Sequence, residues 1–193
     1  MTAKNEFRPL AEQDKAEALQ IFRDGFADLQ ARNDKVNESV QNREAENMKA
    51  LLDDHSASFW GCYEDDTFIG FAALTRPNAI IQHYLSTSEV NTPADIREVR
   101  LIYVKKEWQG QGYGRALVNT LLNELEKEGA SYFCTDAGYK TSQAYWTELI
   151  GTPTKGIKDY WGKNEPHMIW IARTERVLDH LHDPYRATEN TRY

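Results

Sequence analysis

Cysteine is scarce in this chain. The sequence has only Cys62 and Cys134, which lie 72 positions apart. Cysteine-based metal sites need closely spaced pairs and disulfide-rich folds need several cysteines, so this spacing matches neither pattern. We therefore expect no metal site and a protein that works in a reducing compartment, with the cytoplasm as the default.

Long apolar runs and an excess of basic charge are also missing. No segment approaches the roughly 20 apolar residues that cross a bilayer, and the opening Met-Thr-Ala-Lys-Asn-Glu lacks the apolar core of a signal peptide. The 23 basic residues are outnumbered by 30 acidic ones, which gives a net charge of −7. Since a broad phosphate-binding face needs a basic stripe, we expect neither nucleic-acid nor membrane partners.

The sequence does contain a regular alternation of strand and helix patterns. Its 193 residues are 40% hydrophobic and 27% charged, which is typical of one globular domain. Strands are predicted near residues 7–10, 58–63, 68–74, 98–104, 131–135, 155–160 and 167–172. Helices are predicted near residues 14–29, 43–53, 113–128 and 142–149. This order predicts an α/β fold.

Three local features give further expectations. Asp14 followed by Glu17 is a capping-box pattern, which predicts the start of the first helix. The polar residues 31–42 are expected to bend or break the helical run. Residues 75–95 are mixed in character and are expected to form an irregular excursion, of a kind that is often functional or mobile.

The most informative segment lies between the strand at 98–104 and the helix at 113–128. It reads Gln-Gly-Gln-Gly-Tyr-Gly-Arg-Ala over residues 109–116. A helix start presents unpaired backbone N–H groups and the positive end of the helix dipole, and glycines let a bulky anion reach them. We therefore predict a phosphate cradle, to which Gln109, Gln111 and Arg115 add side-chain donors.

Two common nucleotide fingerprints do not fit this segment. A Rossmann loop would need glycine where Arg115 stands, and a P-loop would end in Gly-Lys-Ser or Gly-Lys-Thr. The structural alternative is a tight strand-to-helix turn whose glycines serve backbone geometry alone.

Gln109, Gly112 and Gly114 resemble the Gln/Arg-x-x-Gly-x-Gly/Ala signature of the GNAT superfamily of N-acetyltransferases. The resemblance implies one domain over residues 5–172, with a mixed central sheet of about six to seven strands flanked by about four helices. Residues 173–193 would form a tail, with room for a short docked helix. The cosubstrate implied is acetyl-CoA, with no metal.

The same resemblance implies how acetyl-CoA is held. Backbone amides of residues 110–115 would bind the pyrophosphate, and the strand before them would pair with the pantetheine arm and aim one N–H at the thioester oxygen. The cofactor-binding residues implied are Ile102, Tyr103, Val104, Gln109, Gly110, Gln111, Gly112, Tyr113, Gly114, Arg115 and Ser142. For Ser142 the alternative is a helix cap.

Glu98 is the general base that the resemblance implies. It lies eleven residues before Gln109, at the offset where protein-lysine acetyltransferases of the superfamily place a glutamate. The alternative is a glutamate that starts a strand and faces solvent.

For the general acid, the superfamily often uses a tyrosine on the helix after the fifth strand. Tyr145 is the candidate here, although alignment on Leu149 puts Trp146 at the tyrosine position. Tyr139 is a more distant candidate, and an aromatic packed in the core is the alternative interpretation of Tyr145.

The leading hypothesis is an enzyme that transfers an acetyl group from acetyl-CoA to a primary amine by direct attack. The acceptor stays open between a small polyamine or amino sugar, a peptide N-terminus and a protein lysine, and a homodimer is compatible with the sequence. The first alternative is a non-catalytic acyl-CoA sensor or interaction module. The second is another phosphate ligand, such as a nucleotide, in the same cradle.

Overall fold

A computed structural model of the chain describes residues 5–89, 93 and 95–182. Seven strands are hydrogen-bonded in the order β1-β2-β3-β4-β5-β7-β6. They are β1 Asn5–Pro9, β2 Ser58–Glu64, β3 Thr67–Thr75, β4 Arg97–Val104, β5 Tyr132–Ala137, β6 Lys155–Ile157 and β7 His167–Arg173. The predicted α/β class and mixed sheet are confirmed.

Six α-helices occur in the described part of the chain, where about four were expected. They are α1 Lys15–Arg32, α2 Glu38–Leu52, α3 Ala79–Thr87, α4 Tyr113–Lys127, α5 Lys140–Ile150 and α6 Thr174–His182. None of these helices combines the length and apolar character that crossing a membrane requires. The elements group into two compact units, one within residues 1–75 and 99–121 and the other within residues 76–98 and 122–193.

The first unit contains the strands β1, β2 and β3, which pair in antiparallel fashion, and the helices α1 and α2. Apolar side chains at helical spacing on α1 and α2, including Phe22 and Met48, pack with Phe71 of β3. The expected break in the helical run is confirmed, because α1 ends at Arg32. Helix α2 then begins after Asn37, whose side chain accepts a hydrogen bond from the amide of Val40.

The second unit is organised around β5. Its first residues pair in parallel with the start of β4, and along its length it pairs with β7 in antiparallel register. Ile81, Ile96, Cys134 and Ile169 form a buried apolar cluster beside these strands. Burial, followed by the charges of nearby carboxylates, raises the pKa of the Cys134 thiol above its ordinary value.

Helix α1 begins directly after Asp14, as predicted, but two local expectations were wrong in detail. The capping box does not form: the side chain of Asp14 makes no helix-cap hydrogen bond and instead accepts one from the Tyr63 hydroxyl at 2.6 Å. Residues 75–95 are not wholly irregular, because they include α3. Asn78 caps this helix by accepting from the amides of Ile80 and Ile81, at 2.9 and 3.1 Å.

Candidate active site

The glycine-rich turn between β4 and α4 has a backbone that only glycine adopts without strain. Gly110 and Gly112 have φ angles of 76° and 89°, in the left-handed region that L-residues avoid. A Cβ atom at either position would meet no heavy atom within 4 Å. Packing therefore does not require these glycines; the backbone conformation does, and it leaves open space beside the turn.

The start of α4 presents backbone donors to this turn. The first intrahelical bond runs from the amide of Ala116 to the carbonyl of Gly112, at 3.0 Å. The amides of Tyr113 and Gly114 precede that bond, so the helix itself offers them no acceptor. Together with the helix dipole and the open space at the two left-handed glycines, these donors fit a phosphate group.

The side chains of the two glutamines in the turn are directed at the protein's own backbone. Gln109 donates from Nε2 to the carbonyl of Val104 at 2.8 Å, and Gln111 donates to the carbonyl of Glu107 at 3.2 Å. Arg32, at the end of α1, donates to Oε1 of Gln109 at 3.1 Å. In this arrangement the glutamines brace the turn, and phosphate donation by Gln109 and Gln111 stays a prediction.

Tyr113, the first residue of α4, is anchored by a carboxylate. Its hydroxyl donates to Oε2 of Glu64 at 2.6 Å, and its ring makes an edge contact with Trp108. The hydrogen bond to Glu64, reinforced by burial, raises the pKa of Tyr113 to about 12. The phenol therefore stays protonated at neutral pH and fixes the end of β2 to the start of α4.

Strand β4 contains a backbone irregularity that the sequence did not indicate. Leu101 has a φ of 58°, a left-handed conformation that costs a non-glycine residue of order 1–3 kcal/mol. It lies directly before Ile102, Tyr103 and Val104, the strand predicted to hold the pantetheine arm. Residues in sparsely populated conformations persist when the surrounding structure holds them, and they cluster at functional sites.

The side chain of Tyr103 is partly buried and packs against the core of the first unit. Its ring packs edge-on against Phe22 and stacks on Phe71, with centroid distances of 5.1 and 6.0 Å. Gly25 of α1 leaves room for this ring, because a Cβ there would lie 2.5 Å from Tyr103 Cδ1. A role for Tyr103 in cofactor binding stays a prediction.

Glu98 lies in the second unit and is 1% exposed. The alternative of a solvent-facing glutamate was therefore wrong. Asn78 donates to Glu98 twice, from its backbone amide to Oε2 at 2.8 Å and from Nδ2 to Oε1 at 3.2 Å. The residue that caps α3 thus also holds the carboxylate that was predicted to be the base.

Asn78 connects Glu98 to further polar residues. Its Nδ2 also donates to Oδ2 of Asp136 at 2.7 Å, and that oxygen lies 2.9 Å from Nε2 of His167. Nε1 of Trp161 donates to Nδ1 of His167 at 3.0 Å. We call these five residues the polar array.

Sequence reasoning did not assemble the polar array. Asn78, Asp136 and His167 are separated by 58 and 31 positions, and nothing in the local sequence joins them. One local signal was Asn78 ahead of an apolar helical pattern, which marks a helix cap and not a catalytic neighbour.

Helix α5 carries the residues predicted to supply the general acid. Trp146 is buried, and Tyr145 makes an edge contact with it at a centroid distance of 5.1 Å. The N-cap position of α5 is Tyr139, without a side-chain cap bond. Ser142 is the third residue of the helix, so the cap alternative for Ser142 was wrong. The general acid stays a prediction.

The sequence profile of the acetyltransferase (GNAT) family matches residues 19–151, which is more than half of the chain. The chain belongs to the GNAT family. No match to this GNAT chain was found among curated proteins. In the described residues, no group of three or more His, Cys, Asp or Glu side chains is placed to hold a metal ion.

Solved structures share the GNAT fold of this chain at low sequence identity. An acetyltransferase of the GNAT family from Desulfovibrio desulfuricans has a TM-score of 0.65 and 17% identity, over 89% of this chain and 99% of its own. The N-acyl amino acid synthase FeeM from uncultured soil microbes has a TM-score of 0.61 and 15% identity, over 91% and 94%. The PaiA N-acetyltransferase from Thermoplasma acidophilum, solved with coenzyme A, has a TM-score of 0.58 and 14% identity, over 86% and 98%.

Membership in the GNAT family supports acyl transfer as the general activity of the protein.

The cradle residues Gly110–Gly114 all lie in the first unit, whereas Glu98, Ser142 and Tyr145 lie in the second.

Proposed function

We propose that the protein transfers an acetyl group from acetyl-CoA to a primary amine by direct attack of the amine on the thioester. The observation that carries this proposal is the turn at Gly110 and Gly112, where two left-handed glycines leave open space beside the amides that begin α4. The coenzyme A complex of the PaiA neighbour is in keeping with this choice of cosubstrate.

The amides of residues 110–115 would hold the pyrophosphate of coenzyme A, and the backbone of Ile102 and Val104 would hold its pantetheine arm. Acetyl-CoA supplies the activated acyl group when it is bound. A backbone N–H of β4 that points at the thioester oxygen would stabilise the charge developing there by about 3 kcal/mol.

Glu98 would take the proton of the acceptor. A lysine-like amine has a pKa of about 10.4, so its neutral form costs about 4.6 kcal/mol at pH 7. A carboxylate that receives the proton offsets part of this cost. The paired donation from Asn78 fixes the direction in which the Glu98 carboxylate points.

Neither cysteine is suited to a covalent acetyl-enzyme step. Both are buried, and burial raises the pKa of Cys62 to about 12 and that of Cys134 further from neutrality. Since the thiolate is the nucleophilic form, these thiols are inert at neutral pH. One-step transfer to the amine therefore remains the simpler route.

Ligand binding is tested by thermal denaturation. A ligand at 100 times its dissociation constant stabilises the folded state by about 2.7 kcal/mol. For a chain of this length that is a rise in Tm of about 5–11 °C. We expect acetyl-CoA to raise the Tm and ATP and NAD to leave it unchanged; stabilisation by ATP or NAD alone would refute the proposal.

Turnover is tested by the release of free coenzyme A thiol over a panel of amines, including polyamines, amino sugars, peptides with free N-termini and lysine peptides. The name of the FeeM neighbour indicates an amino acid acceptor for that protein, so amino acids belong in the panel. We expect thiol release with at least one of these classes.

The role of Glu98 is tested with Glu98→Gln. Turnover should fall and become more dependent on alkaline pH, while the affinity for acetyl-CoA changes little, because the cradle is built from other residues. The glutamine side chain of this variant has one oxygen and one NH₂ group, so one of the two Asn78 donors would face the NH₂ group and lose its acceptor. This should lower the free energy of unfolding by about 1–3 kcal/mol. An unaltered pH–rate profile in the folded variant would rule out Glu98 as the base.

A non-catalytic acyl-CoA sensor is the second candidate. The buried Trp146 favours the sensor hypothesis, because Trp146 occupies the position where the superfamily often has the tyrosine that acts as general acid. The sensor predicts tight binding of acetyl-CoA with no thiol release over the full amine panel.

A further inference from the structure

The hydrogen bonds of the polar array connect Trp161 to Glu98, with Asp136 accepting from both His167 and Asn78. Trp161 donates to His167, His167 lies against Asp136, and Asn78 donates to both Asp136 and Glu98. Each hydrogen of the Asn78 amide therefore has one carboxylate oxygen as its acceptor. The array ends at the carboxylate that the proposed function assigns as the base.

The indole of Trp161 determines the protonation of His167. An indole N–H can only donate, so Nδ1 of His167, 3.0 Å away, must be the unprotonated acceptor. The proton of the neutral ring is then on Nε2, where it is donated to Oδ2 of Asp136 at 2.9 Å. A second proton on Nδ1 would place two N–H groups against each other.

We propose that Trp161 is a positioning residue: its indole keeps the buried His167 neutral and fixes the Nε2 hydrogen on Asp136, which holds the array around Glu98 in one arrangement. The inference rests on the proposed function only for the role of Glu98. The protonation state of His167 follows from the geometry alone.

The loop before β7 presents the indole to His167. The amide of Asn164 donates to Oδ1 of Asp159 at 2.6 Å, and the amide of Trp161 donates to the carbonyl of Glu165 at 3.1 Å. These bonds close a compact turn around Trp161. Trp161 as a whole is nevertheless 54% exposed, so the turn, more than burial, holds its N–H at His167.

Gly138 provides the space in which the two rings meet. A Cβ at residue 138 would lie 2.6 Å from Nε1 of Trp161 and 3.3 Å from Nδ1 of His167. Alanine at this position would therefore displace the indole from Nδ1 while Trp161 itself remains present.

Among the residues that the structure describes, the hydrogen bonds and ring contacts of His167 include no other proton donor to Nδ1. Asp136 on β5 faces Nε2, and Tyr160 contacts the imidazole by its ring, at a centroid distance of 5.3 Å. On β6 the register partner of His167 is Ile157, and the nearby Gln143 of α5 donates to the carbonyl of Pro166. The neutral state thus depends on Trp161.

The test is ¹⁵N NMR of the intact protein labelled at histidine, at about pH 6.5, the ordinary pKa of a histidine side chain. We expect the wild-type His167 ring to be neutral, with the hydrogen on Nε2. In Trp161→Phe the same ring should take up a second proton at Nδ1, because the neutral form has lost its donor and Asp136 favours the charge.

Gly138→Ala is the second variant, and it should reproduce the change with the tryptophan retained. Two matched controls should keep the wild-type ring state: Tyr160→Phe, and Gly156→Ala, whose added Cβ would contact only Met168. Amide spectra show which variants are folded, and Gly138→Ala decides the question if Trp161→Phe does not fold. A doubly protonated wild-type ring, or a neutral ring in the folded Trp161→Phe variant, overturns the proposal.

A kinetic arm links the ring state to catalysis. We expect Trp161→Phe and Gly138→Ala to shift the pH profile of thiol release in the same direction and Tyr160→Phe to leave it unchanged. An absence of turnover in the wild type would count against the proposed function and would leave the NMR result on Trp161 unaffected.

Discussion

Replacement of Asn78 by alanine should destabilise the protein more than the loss of an ordinary helix cap. The Asn78 side chain accepts from the amides of Ile80 and Ile81 and donates to Glu98 and Asp136. Loss of a cap costs about 1 kcal/mol, and each hydrogen bond to a charged group contributes about 1.5–3 kcal/mol. Since the carboxylates share one donor group, we expect a total near 4 kcal/mol.

Asn37→Ala is the matched control, because Asn37 caps α2 in the same way and its side chain donates to no carboxylate within the described residues. Its loss should cost about 1 kcal/mol. A third variant, Asn78→Ser, keeps a cap acceptor and removes the amide donors, so it should be about 1 kcal/mol more stable than Asn78→Ala and still clearly less stable than the wild type.

Urea denaturation at pH 7 measures these differences, and thermal scans provide a second estimate. At about 2–4 °C per kcal/mol for a chain of this size, Asn78→Ala should lower the Tm by about 8–16 °C and Asn37→Ala by about 2–4 °C. Equal losses in the two alanine variants would refute the argument, since the carboxylate contacts would then contribute nothing beyond the cap.

Gly112→Ala should lower the affinity for coenzyme A on the order of tenfold, equivalent to about 1.4 kcal/mol. Gly129, which also has a left-handed backbone with open space at its Cβ position, provides the control. Both substitutions should lower the free energy of unfolding by about 1–2 kcal/mol, but Gly129→Ala should leave the affinity unchanged. Calorimetry compares the two variants, and equal affinities would count against the cradle. Tyr113→Phe should remove part of the pH dependence of the free energy of unfolding. Because the folded state holds the Tyr113 proton more tightly than the unfolded state, wild-type stability should fall as the pH rises from about 10 to about 12. Urea denaturation of the variant should lack that part of the fall. Gly70→Ala should lower the free energy of unfolding by about 1–3 kcal/mol, because its Cβ would lie 2.6 Å from a backbone oxygen of β4. An unchanged Tm would show that β3 and β4 move apart easily.

The turn at residues 109–114 could be predicted because its chemistry is local. Left-handed backbone at Gly110 and Gly112 requires glycine, and a helix that starts beside them exposes its amides wherever the helix lies. Local patterns also indicated most strands and the longer helices. Helix α3 was missed, although Asn78 followed by apolar residues at helical spacing was a readable signal for it.

The role of Glu98 shows the limit of such reasoning. The resemblance to the acetyltransferase superfamily implied that Glu98 is a base, but its burial and the donation from Asn78 could not be seen in a strand pattern. The same holds for Asp14, whose apparent capping box is replaced by a hydrogen bond to Tyr63, 49 positions away. In both cases a distant donor decides what the carboxylate does.

The sequence alone determined the α/β order of elements and the left-handed glycine turn before α4, which we propose binds phosphate, because periodicity and backbone conformation depend on neighbouring residues. Only the tertiary structure decided that Asn78, Asp136, His167 and Trp161 form one array with Glu98. Hydrogen bonds between side chains require distances of about 3 Å, and for residues far apart in the chain those distances are set by how strands and helices pack.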